Sequence, residues 1–330
     1  MDKELKLKIK CILESFVMII SIFLLIIMSL YVPIIGILFF PISIVLLCLR
    51  HNKLMVILSI SIGLIMSSIA LRSILPLLLG FTYTTIGIVL VICIKKHIKF
   101  INTFCMLSLS VIIANLINLV MSIYLIMEIN FWQFAQNIVA NFNEFIKIYS
   151  KLDVDISVSQ YIQSMSKIMT PQNILSVLPS IIIIFSLIIS VCIYLLTEKI
   201  LIKINYKINS IPQFNKWYFE PKLGAVLITI MCISMIMYSK NIIAAEYVYK
   251  TIYSLLQFFI VIIGISVINY FLKTKMKINK KLRIVISILV LISPLNILLP
   301  IIGLVDLISD IRGIDPNSLG TALRKKFSIY

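Results

Sequence analysis

Long apolar runs separated by short basic interruptions fill most of the chain, and the runs have the length of a membrane crossing. They lie near 16 to 32, 34 to 49, 54 to 71, 74 to 94, 100 to 127, 174 to 197, 223 to 239, 247 to 272 and 282 to 299. About 20 apolar residues in a helix span the hydrocarbon of a bilayer. The pattern therefore predicts an all-α protein, a polytopic transmembrane helix bundle of eight to nine spans, with 1–330 forming a single integral membrane domain. Tyr31 to Pro33 reads as an outer turn where proline stops the first helix. The third and fourth runs form a hairpin around Leu71-Arg72-Ser73. Ser59, Gly63 and Ser67 on one arm and Gly80, Thr84 and Gly87 on the other give each a face of small residues, which predicts close packing between the two arms.

The interruption from Glu128 to Asn173 is long, hydrophilic and periodic. Phe131, Ala135, Ile138, Phe142, Phe145, Tyr149 and Leu152 recur at the spacing of one helical face, and Val154, Val158, Tyr161, Met165 and Ile168 repeat it after Asp153 and Asp155. We expect an extracytoplasmic pair of amphipathic helices over 128–173, either packed on the spans as a cap or serving as an interfacial lid or partner surface.

The last apolar run carries two carboxylates, Asp306 and Asp310, within LPIIGLVDLISDIRGIDP. Ionised groups in hydrocarbon are costly. Pro294 and Pro300 can break the helix there, and beyond them Gly303, Asp306, Ser309, Asp310 and Gly313 share one face while Leu304, Leu307, Ile308 and Ile311 share the other. The expectation is an interfacial amphipathic helix over 300–313 with both aspartates on its wet side.

Composition agrees with this layout: 61% of residues are hydrophobic and 13% charged, which excludes a water-soluble globule. The net charge of +17 is topological. A cytoplasmic N-terminus puts twenty Lys and Arg residues of the first nine runs' flanks inside and six outside, the asymmetry of the positive-inside rule. It implies a multi-pass protein of a cell membrane, attracted to anionic lipid at its cytoplasmic face, and no nucleic-acid partner. Nine crossings would leave Arg312, Arg324, Lys325 and Lys326 outside; a re-entrant turn at Pro294 to Pro300 would return them. Abundant Ile, Lys and Asn point to an AT-rich bacterial genome.

Candidate chemistry is sparse. No phosphate-binding glycine loop, zinc-protease motif or nucleophile elbow occurs, so we expect neither an enzyme nor a cofactor or metal site, and no ATPase within these residues. His51 and His97 lie in short basic loops, and the six cysteines are scattered without paired spacing. Two polar stripes stand out. On the fifth span Ser108, Asn115 and Ser122 fall on one face with Asn118 beside them, and on the eighth Glu246, Lys250, Tyr253 and Gln257 align with Gly264. Such stripes face the interior of a bundle. They either line a substrate pocket or make interhelical hydrogen bonds, with Glu246 and Lys250 as an i,i+4 pair.

The loop SIPQFNKWYFEP, bracketed by Pro212 and Pro221, sets Phe214, Trp217 and Tyr218 as an interfacial aromatic patch. Together with Pro179 at the start of the sixth span, and a terminal Gly303-x-x-Asp306-x-x-x-Asp310-x-Arg312, it resembles the YybS-like family of bacterial multi-pass membrane proteins. That family is distantly similar to the substrate-binding S-components of energy-coupling-factor transporters, although the alanine motif of their first helix is missing here, where no alanine precedes Ala70. The resemblance implies an architecture and, through the S-components, a transport-related component that works with separate membrane or ATPase subunits. The alternative is a cell-envelope scaffold that acts through its extracytoplasmic helices or the Trp217 loop.

Overall fold

The structure is a computed structural model and describes residues 3–149 and 168–314. Among the described residues the regular elements are helical: α1 Lys3–Tyr31, α2 Pro33–Arg50, α3 Lys53–Leu71, α4 Leu75–Lys95, α5 Phe100–Met121, α6 Phe131–Tyr149, α7 Pro171–Lys203, α8 Pro221–Ser239, α9 Ile243–Thr274, α10 Lys280–Ile292 and α11 Leu298–Ser309. Eight of them are long and apolar enough to cross a bilayer, α1 to α5 and α7 to α9. The fold is thus a polytopic helical bundle. Backbone groups in hydrocarbon must bond within their own segment, which is why runs of this composition fold as helices. Breaks fall where the sequence supplies a reason: Pro33, Pro76, Pro171 and Pro221 stand in the first helical turns, and Arg72 takes a left-handed conformation that ends α3.

The helices divide into two compact units. One comprises the described parts of 1–134 and 182–211, the other those of 135–181 and 212–330, so α7 gives its first turns to the second unit and its remainder to the first. The core of the first unit gathers Ile22 and Ile26 of α1, Phe40 and Ile44 of α2, Ile86 and Leu90 of α4, Leu107 of α5 and Ile193 of α7, all fully buried.

The small faces of α3 and α4 do not mainly meet each other. A Cβ at Gly63 would press on Ile22 of α1, and one at Gly87 on Ile44 of α2; Gly80 alone receives α3, through Leu64, near the turn. The two arms therefore pack closely only at the end closed by Arg72. Close approach goes to whichever large side chain the tertiary arrangement presents.

In the second unit α9 packs against α8, α10 and α11. The expected ninth span is not one straight helix. It breaks at a 3-10 turn, Pro294–Ile297, and α10 and α11 meet at 83°. At 1.5 Å per residue each is about 20 Å long, short of the ~30 Å of hydrocarbon. α11 begins at Leu298 rather than Pro300 and crosses α9 at glycines: a Cβ on Gly264 would overlap the Leu299 carbonyl, and one on Gly303 the Ile260 carbonyl.

Of the two amphipathic helices, the first is α6. Ala135 is fully buried and Phe131, Ile138 and Phe142 half-buried, but Phe145 on the same face is exposed. The second, over Val154 to Met165, lies outside the described residues. Pro179 is not at a helix start, because α7 begins eight residues earlier at Pro171 and carries Pro179 inside.

Candidate functional site

Asp306 and Asp310 are not on a wet face. Asp306 is 0% and Asp310 1% exposed, so the expectation of a water-facing stripe on α11 is overturned. The glycine at 303 has no side chain to hold α11 away from α9, and this draws the polar face, rather than the apolar one, against the neighbouring helix. Ile301, Leu304 and Ile308 point outward instead.

The buried charge is answered by Arg312, itself 6% exposed. Its Nε donates to Asp306 Oδ2 at 2.9 Å, with Nη2 2.8 Å from the same oxygen. Nη1 donates to Ser266 Oγ at 2.6 Å and to the Asn215 carbonyl at 3.2 Å. Ser266 donates onward to the Phe214 carbonyl at 2.7 Å. Asp306 Oδ1 finds no hydrogen-bond partner. Asp310 closes the helix in a left-handed conformation, and its Oδ1 accepts from the Ile314 amide at 2.8 Å.

The loop between α7 and α8 is thereby fastened. Trp217 Nε1 donates to the Pro212 carbonyl at 3.0 Å, the Phe214 and Trp217 rings meet edge to face at 5.1 Å, and Lys273 donates to Gln213 at 2.6 Å. The two short motifs, about ninety residues apart in sequence, form one assembly, with Pro221 opening α8 directly after it. At one end of the α10 to α11 segment Arg283 donates to Asn269 of α9 at 3.3 Å, and Ile284 and Asn269 line one pocket with Phe214 of the loop; at the other end Arg312 reaches Asn215.

A second charged cluster sits at the start of α9. Glu246 and Lys250 form the expected i,i+4 pair at 2.6 Å. Gln172 donates to Glu246 at 3.2 Å, and Lys250 donates to Asn173 and Ser176 at 3.0 Å each. Further along, Tyr253 is 52% exposed and Gln257 is exposed as well, so the stripe does not continue into the interior.

The first unit is different in kind. Asn115, Asn118 and Ser122 of the fifth span line a cavity of about 260 Å³, together with Ser29, Tyr83 and Phe185. Asn115 donates to Ser186 at 2.8 Å, and Asn118 accepts from Thr82 at 3.1 Å. Ser122 opens a π-helical turn, Ser122–Ile126, which forms part of the wall. Such turns widen a helix locally and recur at functional sites. Apolar walls come from residues such as Ile37, Leu79 and Met121, and no charged side chain contributes. Ser108, on the same face, is buried away from the cavity with its hydroxyl unpartnered.

Residues 19–307 match the family described as Predicted membrane protein (DUF2232). The chain belongs to that family. Neither the curated proteins nor the solved structures compared include a match. Family membership accords with the many apolar helices and leaves the residues above as the guide to function.

Sequence reasoning missed Ser266 and Asn215 in the Arg312 assembly, and Thr82, Tyr83 and Ser186 beside the cavity. Asn215 lay inside a loop already marked by its prolines. The serines carried no such signal, because a hydroxyl on an apolar helix ordinarily bonds its own preceding turn, as Ser190 and Thr197 do.

Proposed function

We propose that the protein is a small-molecule binding or translocation component of a transport process, one that relies on separate membrane or ATPase subunits for energy and carries out no catalysis itself. The carrying observation is the cavity of about 260 Å³ lined by Asn115, Asn118, Ser122 and Tyr83. Amides and hydroxyls set in apolar walls suit a small uncharged ligand rich in hydrogen-bonding groups. The distant resemblance to transporter S-components agrees with this reading, and the lack of their alanine motif argues for a different docking surface. The test is a thermal-shift screen of purified protein against vitamins, nucleobases and metal ions. A ligand that raises the midpoint in the wild type but not in Asn115→Leu supports it; no shift across the panels removes its support.

We place the protein in a bacterial cell membrane with its N-terminus cytoplasmic. The distribution of Lys and Arg supports this, and the bond from Arg312 to Asn215 supports a tail on the side of the basic loops. A reporter fused after Tyr330 then reads cytoplasmic; a periplasmic signal refutes the orientation. General attraction to anionic lipid follows, with no nucleic-acid role.

The second reading, an envelope scaffold, draws on α6, whose Trp132 and Ile148 are exposed apolar side chains. Deleting 131–168 would abolish partner crosslinking while sparing insertion, and unchanged crosslinks would count against it. The Trp217 loop is a weaker candidate surface, since its indole and backbone carbonyls are already engaged.

A further inference from the structure

Away from the Arg72 turn, α3 and α4 diverge and leave a groove of about 600 Å³ on the first unit. The reason is the packing described above: Gly63 and Gly87 accept α1 and α2, so only the Gly80 end of the hairpin is closed. Ile57 and Ile60 of α3 and Ile88 and Ile92 of α4 form the walls, with Ser61 and Thr84 at the inner end. From Thr84 to Lys96 the groove follows α4 for roughly 18 Å.

Its mouth is basic. Lys53 at the start of α3 and Lys95 and Lys96 at the end of α4 all line it and are exposed. Among the described residues no carboxylate pairs with these three. Glu14, the nearby acid, faces Arg50 at 3.9 Å and His51 at 3.6 Å instead. An apolar trough about one acyl chain long, ending in three ammonium groups, is complementary to one class of molecule. Basic pockets between membrane helices bind anionic lipid headgroups in this manner. A soluble anion would have no use for the isoleucine walls, and a zwitterionic lipid would gain little from the lysines.

We propose that the α3–α4 groove is a binding site for a single anionic phospholipid, with an acyl chain between the isoleucines and its phosphate among Lys53, Lys95 and Lys96. This deepens the general attraction to anionic lipid named above, and the controls separate the two. Full-length protein in mild detergent is offered equimolar phosphatidylglycerol and phosphatidylcholine of identical chains, and retained lipid is read by native mass spectrometry. One phosphatidylglycerol is retained in preference to phosphatidylcholine. At about fivefold per lysine near an anionic surface, K53Q/K95Q/K96Q lowers that preference by roughly a hundredfold. The charge-matched K199Q/K203Q/K207Q variant leaves it unchanged. Equal loss in both triple variants means bulk attraction only and overturns the site, as does equal retention of the two lipids. Competition by millimolar inorganic phosphate would show a phosphate site without a lipid and overturns the proposal equally.

Discussion

The two units treat polar groups in opposite ways. The first keeps those beside its cavity neutral: Asn115 and Asn118 each make one side-chain hydrogen bond and still border empty space, with the Tyr83 and Ser122 hydroxyls beside them. The second pairs full charges: buried Arg312 meets Asp306, Ser266 and a loop carbonyl, and partly exposed Lys250 meets buried Glu246, Asn173 and Ser176. An ion taken out of water demands nearly complete compensation, so a buried pair tends to be committed to holding structure. A buried amide costs less to leave partly unused, and it can exchange one partner for a ligand. The contrast is the physical basis for proposing a binding role for the first unit and a fastening role for the second.

Breaking the fastening is expected to have the largest effect. Arg312→Met leaves Asp306 buried without a counter-ion and should cost about 3–5 kcal/mol, seen as a large fall in the thermal midpoint of the detergent-solubilised protein. Asp306→Leu together with Arg312→Met should recover most of that loss, because two apolar groups of similar size need no compensation. A mild single variant would mean the pair is not structural. Lys250→Met is expected to cost about 1.5–3 kcal/mol, less because Lys250 is partly exposed and Gln172 still reaches Glu246.

Asn115→Leu should sharpen the contrast from the other side. It removes one neutral hydrogen bond, at about 1 kcal/mol, since Ser186 keeps its bond to the Ile182 carbonyl. Stability thus changes little while any ligand-dependent shift disappears. If stability fell as far as in Arg312→Met, the neutral cluster would be a fastener too. The smallest effect belongs to Tyr253→Phe, within about 0.5 kcal/mol, because the side chain is exposed. A larger loss there would revive the continuous polar stripe on α9.

Legibility from sequence followed the range of the interaction concerned. The Glu246 to Lys250 pair was readable because both residues lie on one helix, one turn apart. The facing of Tyr253 and Gln257 was not, since burial changes along a 32-residue helix as different neighbours end. Ser108, Asn115 and Ser122 could be placed on one face with Asn118 beside them, but the space in front of Asn115, Asn118 and Ser122 depends on α1, α2, α4 and α7 as well, and Ser108 does not reach it. On α11 the periodicity correctly separated the two faces and the wrong one was given to water. Hydrophobic patterning in a membrane protein does not say which face meets protein, because lipid accepts apolar side chains as readily as a core does.

By itself, then, the sequence determined the apolar helices, the breaks before Pro33 and at Pro294, and the membrane class, all set by local backbone geometry and apolar length, whereas Pro41 and Pro179 lie inside helices. Tertiary structure decided that Gly264 and Gly303 bring α11 against α9, that Arg312 joins two distant motifs, and that α3 and α4 part around a groove. Each of these depends on which backbone or large side chain arrives at a small residue, and that is fixed only when the whole chain has packed.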